Sequence, residues 1–222
     1  MSCVVLKVGG AVAGASATHV LNLVAEGHEV CVVHGAGPQI SVEMERAGIP
    51  VEFVGGRRVT SAAAVALVRA SFATVNAALC AAIGPRAVGL MGDEIGLEAR
   101  RVPELGHVGD PLPSRPPAVA AALADGAIPV VAPVAVGPLN VNADEAAAAL
   151  ALGLGAERLL FVTDVDGLIL DGRVVDEIDV EAAASLLAGG TLQGGIIPKL
   201  GAAVTAARGG IPASIGRTAV AA

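Results

Sequence analysis

The stretch EVCVVHGAGP, residues 29–38, decides the fold. Its apolar, β-branched run is continuous rather than alternating, which marks a strand covered on both faces. It stops at a glycine turn, and Pro38 then opens a helix. The same form recurs along the chain in CVVLKV (3–8) before Gly9-Gly10, AVGL (87–90), AIPVVAP (127–133), RLLFVTDV (158–165) and the closing PASIG. Helical segments separate these runs. One is expected from a Ser16 cap to about Glu26, with Gly27 at its end. Others are expected over 61–83, near 117–125, after Asp144, after Asp179 and from about Pro198. Hairpins are expected over 51–60, turning at Gly55-Gly56, and near 95–108, with a small one after RLLFVTDV. Buried strands alternating with helices predict an α/β fold: a three-layer αβα sandwich around a mainly parallel open sheet. One domain over 1–222 is expected. The proline-rich connection at 111–117 fits either a divide between two lobes or a tight loop.

The chain has 222 residues, 54% of them apolar, and a formal charge of -7. That length supports one large domain, or two closely joined lobes, with a substantial core. Aromatic residues make up only 1%, so the core must be built from small side chains in close-packed layers. The acidic balance and the lack of a basic stripe argue against nucleic acid as a partner. The least charged long run, 126–143, is broken by Pro129, Pro133, Pro138 and two asparagines. A spanning helix needs about 20 uninterrupted apolar residues, so no membrane partner is expected. The apolar run in MSCVVLKVGG is too short for a signal peptide and contains Lys7. Cys3, Cys31 and Cys80 are odd in number and widely spaced, which suits reduced, buried thiols in a cytoplasmic protein.

In open α/β sheets, ligands gather beyond the carboxyl ends of the strands. Four polar or glycine-rich clusters fall there: Lys7 with Gly9-Gly10, His34 through Gly37, Asn140 through Asp144, and Thr163 through Gly167. A glycine after a strand ordinarily marks a turn and nothing more, but four clusters at matching positions point to a site. No G-x-x-x-x-G-K-[ST] occurs, and the third glycine of a dinucleotide fingerprint would fall at Ile40, so both familiar phosphate motifs are excluded. Backbone amides in the glycine turns, with the helix N-termini behind them, still suit an anion. Lys7 and Lys199 are the chain's two lysines, each beside a glycine pair. An unpaired lysine buried in an apolar strand costs several kcal/mol, so Lys7 is expected to reach the sheet's end. In GPLNVNADEAAAALAL (137–152), Asp144 suits a helix cap, while Asn140 and Asn142 read as ligand-facing or site-organising; the two roles can coexist. The spacing in TDVDG is wrong for a calcium loop, and no metal is assigned to protein side chains. His34 reads as a hydrogen-bonded structural residue and His107 receives no role, while Glu43 and Glu45 form a solvated helix face.

Nine pieces occur in one order over nearly the whole chain. They are LKVGG (6–10), VHGAGPQI (33–40), GGRRVT (55–60), VGLMGDE (88–94), LGHVGDP (105–111), IPVVAPVAVG (128–137), NVNADEAAAALA (140–151), TDVDG (163–167) and GGIIPKLGAAVTAA (194–207). In them the chain resembles the amino-acid kinase family and, within it, the acetylglutamate kinases. K-x-G-G marks the superfamily; R-V-T with N-x-N-A-D is more specific to the acetylglutamate branch.

The resemblance implies ATP-dependent phosphorylation of the side-chain carboxylate of N-acetyl-L-glutamate, the second step of arginine biosynthesis, with Mg2+ on the nucleotide. It implies an amino-acid lobe near 1–135 and a nucleotide lobe near 136–222. Carried over by position, Lys7 and Lys199 flank the moving phosphoryl group, and Asp144 orients them. Gly9, Gly10, Ala36 and Gly37 offer backbone amides, and Ala36 and Gly37 also border the substrate. Arg58 grips the substrate α-carboxylate, with Asn140 and Asn142 beside it. Asp164, Val165, Asp166, Gly167, Leu168, Ile169, Thr191, Leu192 and Gln193 border ATP. These roles fit the chemistry, because phosphoryl transfer rests on positioning and charge neutralisation, and a carboxylate nucleophile needs no general base at neutral pH. Adjacent strand residues face opposite ways, so only one of Arg57 and Arg58 is expected to enter the site.

Two departures from the family pattern stand out. The triple glycine after histidine is Gly35-Ala36-Gly37 here, and an alanine methyl would crowd the site if its φ had to be positive. The chain stops soon after ASIGR, without the longer C-terminal stretch of many relatives, and lacks the extra N-terminal helix of arginine-inhibited hexamers. A homodimer without arginine feedback is therefore expected. Two rival readings accompany the first: a related kinase acting on another carboxylate or phosphate, including carrier-linked glutamate or aminoadipate, and a non-catalytic ligand-binding regulator. Retention of both lysines, Asp144 and Arg58 argues against the regulator.

Overall fold

The computed structural model describes residues 3–9, 13–163 and 166–221. Gly10, Asp164 and Val165, assigned above to the site, lie outside the described residues. The central sheet has eight strands in the order Glu177–Asp179, Thr218–Ala221, Ala213–Ile215, Arg158–Phe161, Cys3–Val8, Glu29–His34, Ile128–Ala132 and Ala87–Met91. From Ala213–Ile215 to Ala87–Met91 every pairing is parallel. Thr218–Ala221 returns antiparallel to Ala213–Ile215, a strand the sequence reading did not separate from PASIG, and Glu177–Asp179 pairs parallel to it.

The period of two along a strand sorts the core into layers. Val5, Cys31, Val33, Val131, Leu159 and Phe161 pack with the helices Pro117–Ala124, Ala143–Leu154, Val180–Ala188 and Ile196–Arg208. Leu6, Val8, Val30, Val32, Ile128 and Val130 pack with Ala13–Ala25 and Ala62–Ile83 on the opposite side. Phe161, Leu6 and Leu159 are among the largest fully buried side chains, each worth about 1.5–3 kcal/mol by removal from water. Small side chains let the layers approach. Ala146 through Ala151 are buried, and a Cβ on Gly153 would meet the Ser114 carbonyl oxygen at 2.0 Å. The proline-rich connection therefore lies tightly against a core helix. A smaller four-stranded sheet, in the order Ala99–Arg101, Val108–Pro111, Leu139–Val141 and Val134–Ala135, sits beyond the main one.

Three expectations are corrected. The first helix begins at Ala13, with Ser16 buried inside it rather than capping it. The helix expected from Pro198 begins at Ile196. Among the described residues, the helix Ala62–Ile83 is long and apolar enough to cross a membrane; its Val68, Phe72, Val75, Leu79 and Ile83 are buried inside the protein. The cap of Ala143–Leu154 is Asn142, whose Oδ1 accepts from the amides of Asp144 and Glu145 at 2.8 and 3.3 Å. An Asx side chain caps from the residue before the first turn, and here that residue is Asn142, which leaves the Asp144 carboxylate for other partners. Asn142→Ala is expected to cost about 1 kcal/mol of stability in urea titration, with Asn142→Asp recovering most of it.

Candidate active site

The site forms where the connections from the central strand diverge. Cys3–Val8 pairs on one side with Glu29–His34 and on the other with Arg158–Phe161, which leaves a crevice beyond its carboxyl end. Lys7 shares the face of Val5, so its side chain rises into the layer containing Ala143–Leu154 and Ile196–Arg208. There Lys7 Nζ lies 2.9 Å from Asp144 Oδ1, and Lys199 Nζ lies 3.9 Å from Asp144 Oδ2. One carboxylate, itself 7% exposed, thus stands between the chain's two ammonium groups. The helices bearing Asp144 and Lys199 both present their first turns here, adding positive N-terminal dipoles. Lys199 Nζ also donates to the Gly195 carbonyl at 3.3 Å.

Beside Lys7 a cavity of about 180 Å³ opens, bordered by Gly35, Ala36, Gly37, Arg58, Asn140, Asn142 and Asp144. The glycine turn extends the ladder, since Gly35 N donates to Val8 O at 3.1 Å. Ala36 has φ -144°, so the left-handed conformation in which its methyl would be strained does not arise; Ala36 is buried with Ile40 and Met44. Gly9 has open space where a Cβ would stand.

Arg58 is 6% exposed. It donates to Gly37 O at 2.9 Å and Ser41 Oγ at 2.8 Å, and its guanidinium lies 4.6 Å from the Phe53 ring centroid. Among the described residues it forms no ion pair with an acidic side chain, and burial pulls its pKa down. A guanidinium held this way suits an incoming carboxylate, which supplies the missing charge. Arg57 leaves the hairpin on the opposite side, toward Asp110 and Glu145, as strand alternation requires. Arg57 also borders the cavity, but its guanidinium is held by Asp110 and Glu145.

Asn140 Nδ2 donates to Thr60 Oγ1 at 3.0 Å, joining its strand to the segment after the hairpin. Thr60, fully buried, was not anticipated. Neither was Asn76, whose Nδ2 donates to Val130 O at 2.8 Å and contacts His34 Nε2 at 3.1 Å. Burial pushes the His34 pKa down to about 4, so the ring is neutral at neutral pH and acts as a strut for the glycine turn. Two of the chain's three phenylalanines, Phe53 and Phe72, line the cavity; in so aromatic-poor a sequence that scarcity was a usable signal.

The remaining assigned residues lie outside this cavity lining. Leu168 is fully buried and its amide donates to Thr218 Oγ1 at 2.8 Å, so its side chain belongs to the core. Asp166 O accepts from Arg217 N at 2.8 Å, Gly167 stands against Thr218, and Ile169 is exposed. Thr191 and Gln193 are exposed and Leu192 is half-buried, on the loop leading to Lys199. Among the described residues no group of three or more His, Cys, Asp or Glu side chains gathers that would cage a metal.

The model of the amino acid kinase family matches residues 2–217. The chain belongs to the amino acid kinase family. An acetylglutamate kinase of Rubrobacter xylanophilus is 42% identical to this family member over 97% of the chain and 88% of the relative. One from Nocardioides sp. is 44% identical over 84% of the chain, which spans 66% of that longer relative. Among solved structures, smu.665 from Streptococcus mutans UA159 superposes with a TM-score of 0.88 at 26% identity, covering 99% of this chain and 98% of that one.

Proposed function

We propose that the protein is an ATP-dependent kinase that phosphorylates the γ-carboxylate of N-acetyl-L-glutamate, giving N-acetyl-L-glutamyl 5-phosphate in arginine biosynthesis. The observation that carries this reading is the Lys7–Asp144–Lys199 bridge beside a cavity holding an arginine without an acidic partner among the described residues. The relatives named above carry the same activity in their names.

Arg58 binds the α-carboxylate and directs the other end of the substrate toward Lys7. The γ-carboxylate is ionised at neutral pH and attacks the γ-phosphorus directly, so no residue need remove a proton. Its oxygen forms the new O–P bond as the bond to ADP breaks, and the leaving oxygen keeps the electron pair. Lys7 and Lys199 act as point charges on the two sides of the transferred group, and the amides of Gly9, Ala36 and Gly37 face its oxygens. Asp144 sets the spacing of the two lysines. Asn140 and Asn142 organise the substrate side. Asp166, Gly167, Ile169 and Thr191 to Gln193 border the nucleotide. Mg2+ would arrive on the ATP phosphates and would supply charge neutralisation there.

The division into an amino-acid lobe at 1–135 and a nucleotide lobe at 136–222 belongs to the same reading, as do a cytoplasmic location and a homodimer. The exposed edge strand Ala87–Met91 beside the alanine-rich helix Ala62–Ile83 suits a second copy.

The test is ATP consumption with hydroxylamine trapping of the acyl phosphate, using N-acetylglutamate, free glutamate and N-acetylaminoadipate in parallel. Turnover is expected with the first and little with the others. Equal turnover of free glutamate rejects the substrate assignment.

A further inference from the structure

Two residues that bracket the proposed reaction have charged neighbours in the chain: Arg57 precedes Arg58, and Glu145 follows Asp144. Those neighbours bind each other. Arg57 Nε donates to Glu145 Oε1 at 3.0 Å, and Arg57 Nη1 forms an ion pair with Asp110. The ties join three elements: the hairpin that carries Arg58, the strand Val108–Pro111 and the first turn of Ala143–Leu154.

The hairpin depends on ties to its neighbours, of which Arg58 to Gly37 O and Ser41 Oγ is one and Arg57 to Glu145 and Asp110 is another. Its strands, Phe53–Val54 and Arg57–Arg58, are two residues long, and a ribbon so short has no stability of its own. Its outer strand faces solvent, with Phe53 55% and Val54 58% exposed. Asn142 Nδ2 reaches Gly56 O only at 3.5 Å. The Arg57 and Glu145 side chains are 27% and 25% exposed, more sheltered than an ordinary surface pair. Burial, with the nearby charges of Asp110 and Asp144, raises the Glu145 pKa against the opposing pull of Arg57, so Arg57 is what lets these carboxylates stand together.

We propose that Arg57 is a positioning residue: through Glu145 and Asp110 it latches the hairpin so that the Arg58 clamp keeps a fixed span to the Asp144-bridged lysines. The inference rests on the reading of Arg58 as the substrate carboxylate clamp. Loosening the latch lets Arg58 drift from register and weakens capture of the amino-acid substrate, while the nucleotide side keeps its geometry.

The experiment compares the full chain with Arg57→Leu, Glu145→Gln and the double variant. Each single change is expected to raise KM for N-acetylglutamate roughly tenfold with KM for ATP little altered, the size of one coupled charge pair. Chymotrypsin should cut at Phe53 roughly tenfold faster in each. The double variant should be no worse than the poorer single, because both remove one interaction. Unchanged KM and cleavage, or effects that multiply in the double variant, overturn the latch. If the wild-type chain does not phosphorylate N-acetylglutamate, the functional reading fails, while the cleavage rates and their non-additivity still decide the latch.

Discussion

Replacing Lys7 by arginine is expected to lower kcat by about 10²–10³-fold while the protein still folds, a loss comparable to that of one preorganised donor to a developing charge. Arginine is the informative substitution. Lys7→Ala removes one partner of a buried pair, and an uncompensated buried charge costs about 3–5 kcal/mol, which confounds catalysis with stability. Arginine keeps the charge next to Asp144 but replaces a compact ammonium by a planar fork that reaches further. The point charge is then no longer where the transferred oxygens stand. The same reasoning applies to Lys199→Arg, where the native ammonium lies 3.9 Å from Asp144 Oδ2. Steady-state rates at saturating ATP and substrate, with thermal melting alongside, separate the two effects. Near-normal kcat in either variant would remove that lysine from the reaction.

The sequence already contained much of this geometry, because strand periodicity is a local property. Continuous β-branched runs gave the parallel sheet, and the position of Lys7 two residues after Val5 decided which helical layer it would enter. The meeting of Lys7, Asp144 and Lys199 spans 192 residues of chain, from 7 to 199, and no local pattern encodes such a contact; the family motifs supplied it. The cap was misjudged for a simpler reason. Asn142 and Asp144 are both good caps, and only the backbone decides which one precedes the first turn. Asn76 was illegible because its partners, Val130 O and His34, come from two other strands, so within its helix it looks like a stray polar residue. Arg57 was set aside by strand alternation. That rule gives the direction of its guanidinium, toward Asp110 and Glu145, but not the ties it makes with those two carboxylates.

Arg58→Lys is expected to raise KM for N-acetylglutamate by about 10–100-fold with a smaller effect on kcat, the range for losing a hydrogen bond to a charged group. The guanidinium is already fixed by Gly37 O, Ser41 Oγ and the Phe53 ring, so its free edge is oriented before substrate arrives. A lysine has neither the planar fork nor these attachments, and its ammonium would be drawn into the space between them. The contribution of the carboxylate can be isolated with a substrate carrying an α-carboxamide in place of the α-carboxylate. Wild-type protein should bind this analogue as poorly as Arg58→Lys binds the natural substrate, and the variant should lose little more with it, because the paired charges are then absent together. If wild type accepts the carboxamide and the carboxylate equally, Arg58 is holding the glycine turn rather than the substrate, and the buried guanidinium is a brace between Gly37 and the hairpin.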